Sequence, residues 1–392
     1  MSTLKVDGIR SNSATSDAIT LASDGTCTAN LTNRTNKNLV VNGACLIAQR
    51  GTSSTSNNGY YTIDRIKQYY QGTDEAPTFS QSDVASGTTP YTLGFRKALK
   101  VTNGNQTSGA GASDQIQIIY WIEAQDIANS GWNYKSSSSF LTFSFWIKSS
   151  VAQVFNFYVI TSDGTEKNMP FSTPSLSADT WTKVKVQIKG DSGIDFNNDN
   201  GSGLGLYLAP YLGTDYTDNS LTNGEWATYA SATRYKDLAT TWFTTNDATV
   251  EYTGLQLEVG SVATDFEHRS YQDEFLRCKR YYQQYPESPT ADNYNCVPSA
   301  MMACNNTTTA YYCPTLNPTM RSSPSFSHSG NFRMNGTASV NNLAVTAIGV
   351  YHNGAATPFQ YATVASGLTA GEAVALSVNN DATAYIAYNS EL

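Results

Sequence analysis

Leu141-Thr142-Phe143-Ser144-Phe145-Trp146-Ile147-Lys148-Ser149 is the stretch that decides the fold class. Leu141, Phe143, Phe145 and Ile147 take alternate positions, and Thr142, Ser144, Trp146 and Lys148 take the others. That period of two is the signature of a strand with one face on a core. Further along, Val184, Val186 and Ile188 alternate with Lys183, Lys185, Gln187 and Lys189. Leu204, Leu206 and Leu208 repeat the pattern, as do Leu255, Leu257 and Val259 against Gln256 and Glu258. Turn clusters separate these runs at Ser162-Asp163-Gly164, at Lys189-Gly190-Asp191 and between Asn197 and Gly205. Short strands with such turns predict an all-β protein whose central region, 39–269, is an antiparallel jelly-roll sandwich.

Beyond that region three further segments stand out. Residues 1–38 are polar and turn-rich, with only Leu4, Val6, Ile9 and Ala18-Ile19-Thr20-Leu21 to form short strands. Such a segment cannot bury a core alone and is expected to be an attachment arm or a loose tail. Residues 270–286 predict a linking α-helix. Ser270 is a suitable N-cap, Asp273 and Glu274 lie in the first turn, and Tyr271, Phe275, Cys278 and Tyr282 fall on one apolar stripe ahead of Pro286. Residues 287–392 return to β patterns, including Val374, Leu376 and Val378 and then Ala384, Ile386 and Tyr388, and predict a smaller C-terminal β-sandwich.

Composition narrows the function. Charged residues are 14% of the 392, against roughly 25% in ordinary soluble proteins, and 28 Gly and 25 Tyr accompany abundant Ser, Thr and Asn. The net charge of −8 argues against a nucleic-acid surface. The apolar run Ile118–Ile122 is far short of the ~20 residues of a membrane helix, and Met1–Asp7 has no apolar export signal. A chain built for an exterior surface but made in the cytoplasm fits a virion protein released by lysis. The six cysteines, Cys27, Cys45, Cys278, Cys296, Cys304 and Cys313, lack zinc-site spacing and read as free thiols, with a disulfide among the last three less favoured.

Chemistry-bearing motifs are few. Asp195, Asn197 and Asp199 have the oxygen spacing of a calcium loop, but Asn200 and Leu206 stand where an EF-hand needs Gly and Glu, so a metal-free turn competes with a calcium site. Gly104–Gly111 and Gly201, Gly203 and Gly205 lack the context of a phosphate or dinucleotide site. No nucleophile elbow, zinc-protease motif or paired carboxylates appear, so a non-enzyme without a required cofactor is expected. Aromatic residues in loops or on polar strand faces are more informative. Trp121, Trp132, Tyr134, Trp146, Tyr207, Tyr211 and Trp226 are candidate platforms for the apolar faces of sugar rings; the competing reading packs them under loops or at a subunit interface.

An ordered series of segments resembles tail-fibre-like virion proteins, especially those of marine phages. It comprises Asn38–Gly51 with its Ala48-Gln49-Arg50-Gly51 ending, Tyr61–Arg65, Leu141–Ser149, Thr180-Trp181, Asp199-Asn200-Gly201, Thr253–Arg269, Cys278–Gln283 and Ala384–Leu392. The strand around Leu255–Glu267 is also similar to the last strand of carbohydrate-binding modules with a jelly-roll fold. The resemblance implies a homotrimeric virion appendage that is assembled in the host cytoplasm. It would dock on other tail or capsid proteins through its N-terminal arm and touch polysaccharide or lipopolysaccharide on the host surface. It implies no membrane insertion and supplies no ligand-residue motif. The alternative is an architectural part, such as a capsid decoration, a head fibre or a tail connector.

Overall fold

The computed structural model of the chain describes residues 6–13, 15, 17–21, 23, 27–29, 36–55, 58–287, 296–336 and 340–392. Near the N-terminus β1 (Gly8–Ile9), β2 (Ile19–Leu21) and β3 (Cys27–Ala29) pair antiparallel in that order. The central region contributes β4 (Ser53–Ser54), β5 (Lys67–Gln71), β6 (Thr78–Asp83), β7 (Lys97–Thr102), β8 (Gln115–Glu123) and β9 (Phe140–Ser149). It continues with β10 (Asn156–Thr161), β11 (Lys167–Ser172), β12 (Thr182–Lys189), β13 (Ser202–Leu212), β14 (Ala227–Thr228) and β15 (Thr249–Val259). These form two six-stranded antiparallel sheets, β14-β11-β10-β13-β8-β5 and β12-β9-β15-β7-β6-β4. The protein is all-β, as the alternating runs predict.

Each sheet sends its alternate apolar residues into one shared core. Leu141, Phe143, Phe145 and Ile147 of β9 are all at most 1% exposed. Phe145 meets Phe157 of the facing sheet edge to face at 5.3 Å, and Phe157 stacks on Phe171 at 5.4 Å. Burying one such side chain contributes roughly 1.5–3 kcal/mol. The opposite face of β9 departs from the half-buried expectation. Thr142, Ser144 and Trp146 are buried too: Trp146 packs with Phe95 and Phe266 from flanking segments, and Thr142 donates to the Gly260 carbonyl at 2.7 Å. Alternation marks which face is apolar; it does not show whether loops cover the other.

The helix spans Tyr271–Lys279 and is capped as expected, with Ser270 Oγ accepting from the Asp273 amide at 3.1 Å. Its predicted stripe is cut short. Phe275 and Cys278 are buried, Tyr271 is 62% exposed, and Tyr282 lies beyond the helix in β16 (Tyr282–Tyr285).

The remaining strands are β17 (Cys296–Cys304), β18 (Thr309–Tyr312), β19 (Ser325–Ser329), β20 (Phe332–Asn335), β21 (Leu343–His352), β22 (Phe359–Val364), β23 (Ala373–Val378) and β24 (Tyr385–Asn389). Six of them close into a barrel, β17-β18-β22-β21-β20-β23, and β16-β24-β19 form a separate sheet. Cys45, Cys278, Cys304 and Cys313 are free thiols, and burial pushes the Cys45 thiol up to about 12. The side chains of Cys27 and Cys296 lie outside the described residues.

Polar contacts join the barrel region to the sandwich. Arg280 makes a two-pronged bond to Glu123, at 2.8 Å for each prong. Arg321 donates to the Ser390 carbonyl at 2.7 Å and the Asn200 carbonyl at 2.6 Å. Glu391 contacts Arg65 and lies 3.3 Å from Arg50.

Candidate functional site: an aromatic sheet face

The outward face of β14-β11-β10-β13-β8-β5 gathers a group of half-open aromatic residues. Strand register sets its rows. Pro170, Tyr158, Tyr207, Ile119 and Lys67 lie side by side across five strands, and Ile160, Gly205 and Trp121 form the next row. The Trp121 ring lies across Gly205: a Cβ there would stand 2.9 Å from the ring and from Tyr207, and 2.8 Å from Ile160. Trp121 meets Tyr207 edge to face at 5.8 Å, and Tyr207 stacks on Tyr158 at 4.6 Å. Trp121 and Tyr207 are half-buried, leaving ring surface open, whereas Tyr158 is buried.

A segment of the chain between β13 and β15 covers part of this face. Tyr235 is fully buried edge-on against Tyr158 at 4.7 Å, with Tyr216, Tyr229 and Leu238 packed around it. Asn156 and Asn168, which point outward from β10 and β11, anchor it by donating to the carbonyls of Lys236 at 2.9 Å and Arg234 at 3.0 Å. Desolvation in this layer pushes the Tyr158 and Tyr207 hydroxyls well above the ordinary tyrosine range. They stay neutral hydrogen-bonding groups at any physiological pH.

Beside the rings runs a neutral amide row. Gln117 donates to Gln115 at 2.7 Å, and Gln115 donates to Gln71 at 3.1 Å. Gln117 is 2% exposed, and its Oε1 has no hydrogen-bond partner. Of this row only Gln71 is exposed, so its amide is the one a ligand hydroxyl can reach. Glu123 is the carboxylate next along β8. Burial opposes its ionisation, but the hydrogen bonds from Arg280 outweigh that and hold it below the usual glutamate range.

Of the seven aromatic residues singled out from the sequence, the fold brings together Trp121 and Tyr207. Trp132 and Tyr211 are each 3% exposed and belong to the main core, so they are not surface platforms. A bulge explains Tyr211: residues 208 to 211 of β13 span only 118 to 116 of β8, which turns Tyr211 inward onto Phe243 at 4.1 Å. Trp132 is drawn in by its own bond to the Ser139 carbonyl at 3.2 Å. Tyr134 packs half-buried on Phe196. Trp226 packs against the core and donates to the Lys189 carbonyl at 2.7 Å. Trp146 lies on the other sheet under Phe95. Tyr158, Gly205 and Gln117 escaped the sequence reading. Their signal was present in the alternation of 156–161, 115–123 and 204–208, but only pairing shows that the three strands are neighbours.

The calcium spacing does not gather its oxygens. Asp195 contacts Lys135, Asn197 donates to Asp163 at 2.8 Å, and Asp199 accepts from the Gly201 amide at 2.9 Å. Among the described residues no group of three or more His, Cys, Asp or Glu is placed to hold a metal ion. A cleft of about 1010 Å³ also opens between 265–270, the helix and Asn317–Thr319. Its cations already have partners: Arg269 with Glu267 and Glu274, Arg277 with Asn36, and Arg280 with Glu123.

Among solved structures, the chain is similar to the enzymatically active domain of tailspike protein 4 of bacteriophage CBA120, at 8% identity and a TM-score of 0.31. That overlap covers 57% of this chain and 21% of the tailspike chain, so this chain spans about a fifth of its length. It is also similar to the N-terminal cellulose-binding domain of Cellulomonas fimi β-1,4-glucanase C (12% identity, 55% and 97% of the two chains, TM-score 0.25). A CBM22-1–CBM22-2 tandem domain from Paenibacillus barcinonensis overlaps 88% of this chain and 96% of its own, at 10% identity and a TM-score of 0.25. No protein-family model matches the sequence, and no curated protein matches it.

Proposed function

We propose that this chain is a non-enzymatic virion protein of tail-fibre type that holds host surface glycan against the outward face of its β8–β13 sheet. The observation that carries the glycan reading is the pair Trp121 and Tyr207, half-open, seated over Gly205, on a sheet face whose neutral amide row ends at the exposed Gln71. Sugars present apolar C–H faces and hydroxyl donors together, and this surface offers a counterpart for each. Tyr hydroxyls held neutral and a carboxylate already engaged by Arg280 fit binding without hydrolysis. On the attachment side, the described strands β1, β2 and β3 pair only with one another, which suits a separable anchor. Weak single sites would gain through avidity if the chain trimerises.

Trp121→Ala should reduce retention of the protein in gels containing host lipopolysaccharide or capsular polysaccharide by about tenfold or more, the equivalent of ~1.4 kcal/mol. Unchanged retention, with folding verified by circular dichroism, would remove the sheet face from the site. For the virion assignment, electron cryomicroscopy of intact particles should place the protein as spokes at the tail. Density over the capsid lattice would make it an architectural decoration instead.

A further inference from the structure

The barrel carries a second aromatic surface, unrelated in sequence to the first. Tyr311 of β18, Tyr351 of β21, and Phe359 and Tyr361 of β22 lie on its outer wall. Their rings are contiguous: Tyr351 lies 4.8 Å from Tyr361 and 5.5 Å from both Phe359 and Tyr311, and Tyr311 is 5.5 Å from Phe359. Register brings Tyr311 and Gly349 to either side of Tyr361. A Cβ at Gly349 would stand 2.4 Å from the Tyr361 hydroxyl and ring, so glycine is what lets that ring lie flat on the strand. This repeats the Trp121–Gly205 arrangement of the sandwich. The surface is open: Tyr351 is 50% exposed and the other three rings are half-buried.

We infer that this wall is a second carbohydrate site, selective for uncharged sugars. The three strands that build it, Thr309–Tyr312, Leu343–His352 and Phe359–Val364, contain no Asp, Glu, Lys or Arg. The platform strands therefore carry no carboxylate, ammonium or guanidinium, which complements a neutral ligand. Hydrogen-bonding groups rim it: Asn305 donates to the Tyr311 hydroxyl at 3.3 Å, and His352 is exposed beside Phe359. Size favours a sugar over a second copy of the chain. Aromatic side chains bury 150–250 Å² each when fully covered, so four partly open rings supply at most roughly 400 Å². A stable protein interface needs ~800 Å² from each partner.

The test uses the full-length protein and three uncharged probes: hexasaccharides of β-1,4-glucose, α-1,4-glucose and β-1,4-galactose. Binding is measured calorimetrically for the wild type, Trp121→Ala, Tyr351→Ala, Tyr351→Phe and the Trp121→Ala/Tyr351→Ala double variant. At least one probe should bind Trp121→Ala. Adding Tyr351→Ala should weaken that residual binding about tenfold, whereas Tyr351→Phe, which keeps the ring, should retain it. Light scattering should give the same oligomeric mass for wild type and Tyr351→Ala. The inference is overturned if no probe binds Trp121→Ala, if Tyr351→Ala leaves residual binding unchanged, or if it changes the oligomeric mass. The two sites fail separately: an effect of Tyr351→Ala without one of Trp121→Ala keeps the barrel site and removes the sheet site.

Discussion

Gly205 shows how much one missing methyl can decide. Its backbone is not left-handed, so the requirement there is purely steric: the space above it holds the edges of Trp121, Tyr207 and Ile160. Gly205→Ala should destabilise the sandwich by about 1–3 kcal/mol, read by chemical denaturation, and shift the Trp121 ring enough to weaken glycan retention. A variant as stable as the wild type with full retention would show that the ring does not depend on that contact. Asp64 gives a second prediction at this scale. Burial pushes its carboxyl up to about 6, with Arg50 and the Gln49 hydrogen bonds opposing the rise. Between about pH 4 and 6 the folded state keeps a proton that the unfolded chain has released. Asp64 therefore contributes stability at low pH that is lost as pH rises through 6. Carboxyl NMR should find its midpoint near 6, and Asp64→Asn should abolish that loss; a midpoint near 4 would contradict the burial argument.

Among the elements, bulges rearrange what a period of two assigns. The β13 bulge sends Tyr211 inward, and a second, between Thr253 and Gln256 of β15, lets both Tyr252 and Leu255 reach the core. Gly254 sits in that irregularity with φ +65°, where a Cβ would also meet Phe95 at 2.7 Å. The nine-residue helix Tyr271–Lys279 is too short to persist alone and relies on its cap and on Phe275 and Cys278 packing. Ser270→Ala should cost about 1 kcal/mol in thermal or chemical unfolding, and Ser270→Asp should largely restore it. No change in Ser270→Ala would mean that packing alone holds the helix.

Across the whole molecule, a buried ion cluster ties Glu391 to Arg50 and Arg65 of the sandwich region. Arg65 is 1% exposed, contacts Glu391, and lies 3.4 Å above the Tyr281 ring; Arg50 lies 3.6 Å above Tyr282 and 3.3 Å from Glu391. Glu391→Ala strands a buried guanidinium and should cost about 3–5 kcal/mol. Because the chain has more than one core, the loss should be followed by proteolysis of the barrel region as well as by global unfolding. If both are unaffected, the cluster does not couple the two regions. This cluster also explains why Gln49-Arg50 and Asp64-Arg65 stand out in the sequence: they hold the chain together, and Arg65 also donates to the Trp121 carbonyl at 2.6 Å from behind the sheet face.

What the sequence determined by itself was the all-β class, the main core strands and the cap of the helix. Each depends on local chemistry: Leu141, Phe143 and Phe145 alternate whatever surrounds them, and Ser270 precedes Asp273 and Glu274. Trp121 and Tyr207, the pair on which the proposed sheet-face site rests, were also among its aromatic candidates. Only tertiary structure decided which aromatic residues share a surface. Trp132 and Tyr211 look like their neighbours in sequence, but a bulge and a carbonyl partner bury them. Tyr311, Tyr351, Phe359 and Tyr361 are separated by up to 50 residues, and closure of the barrel makes them one wall. Strand pairing is a long-range choice, set by register and packing between distant segments, and a period of two has no information about it.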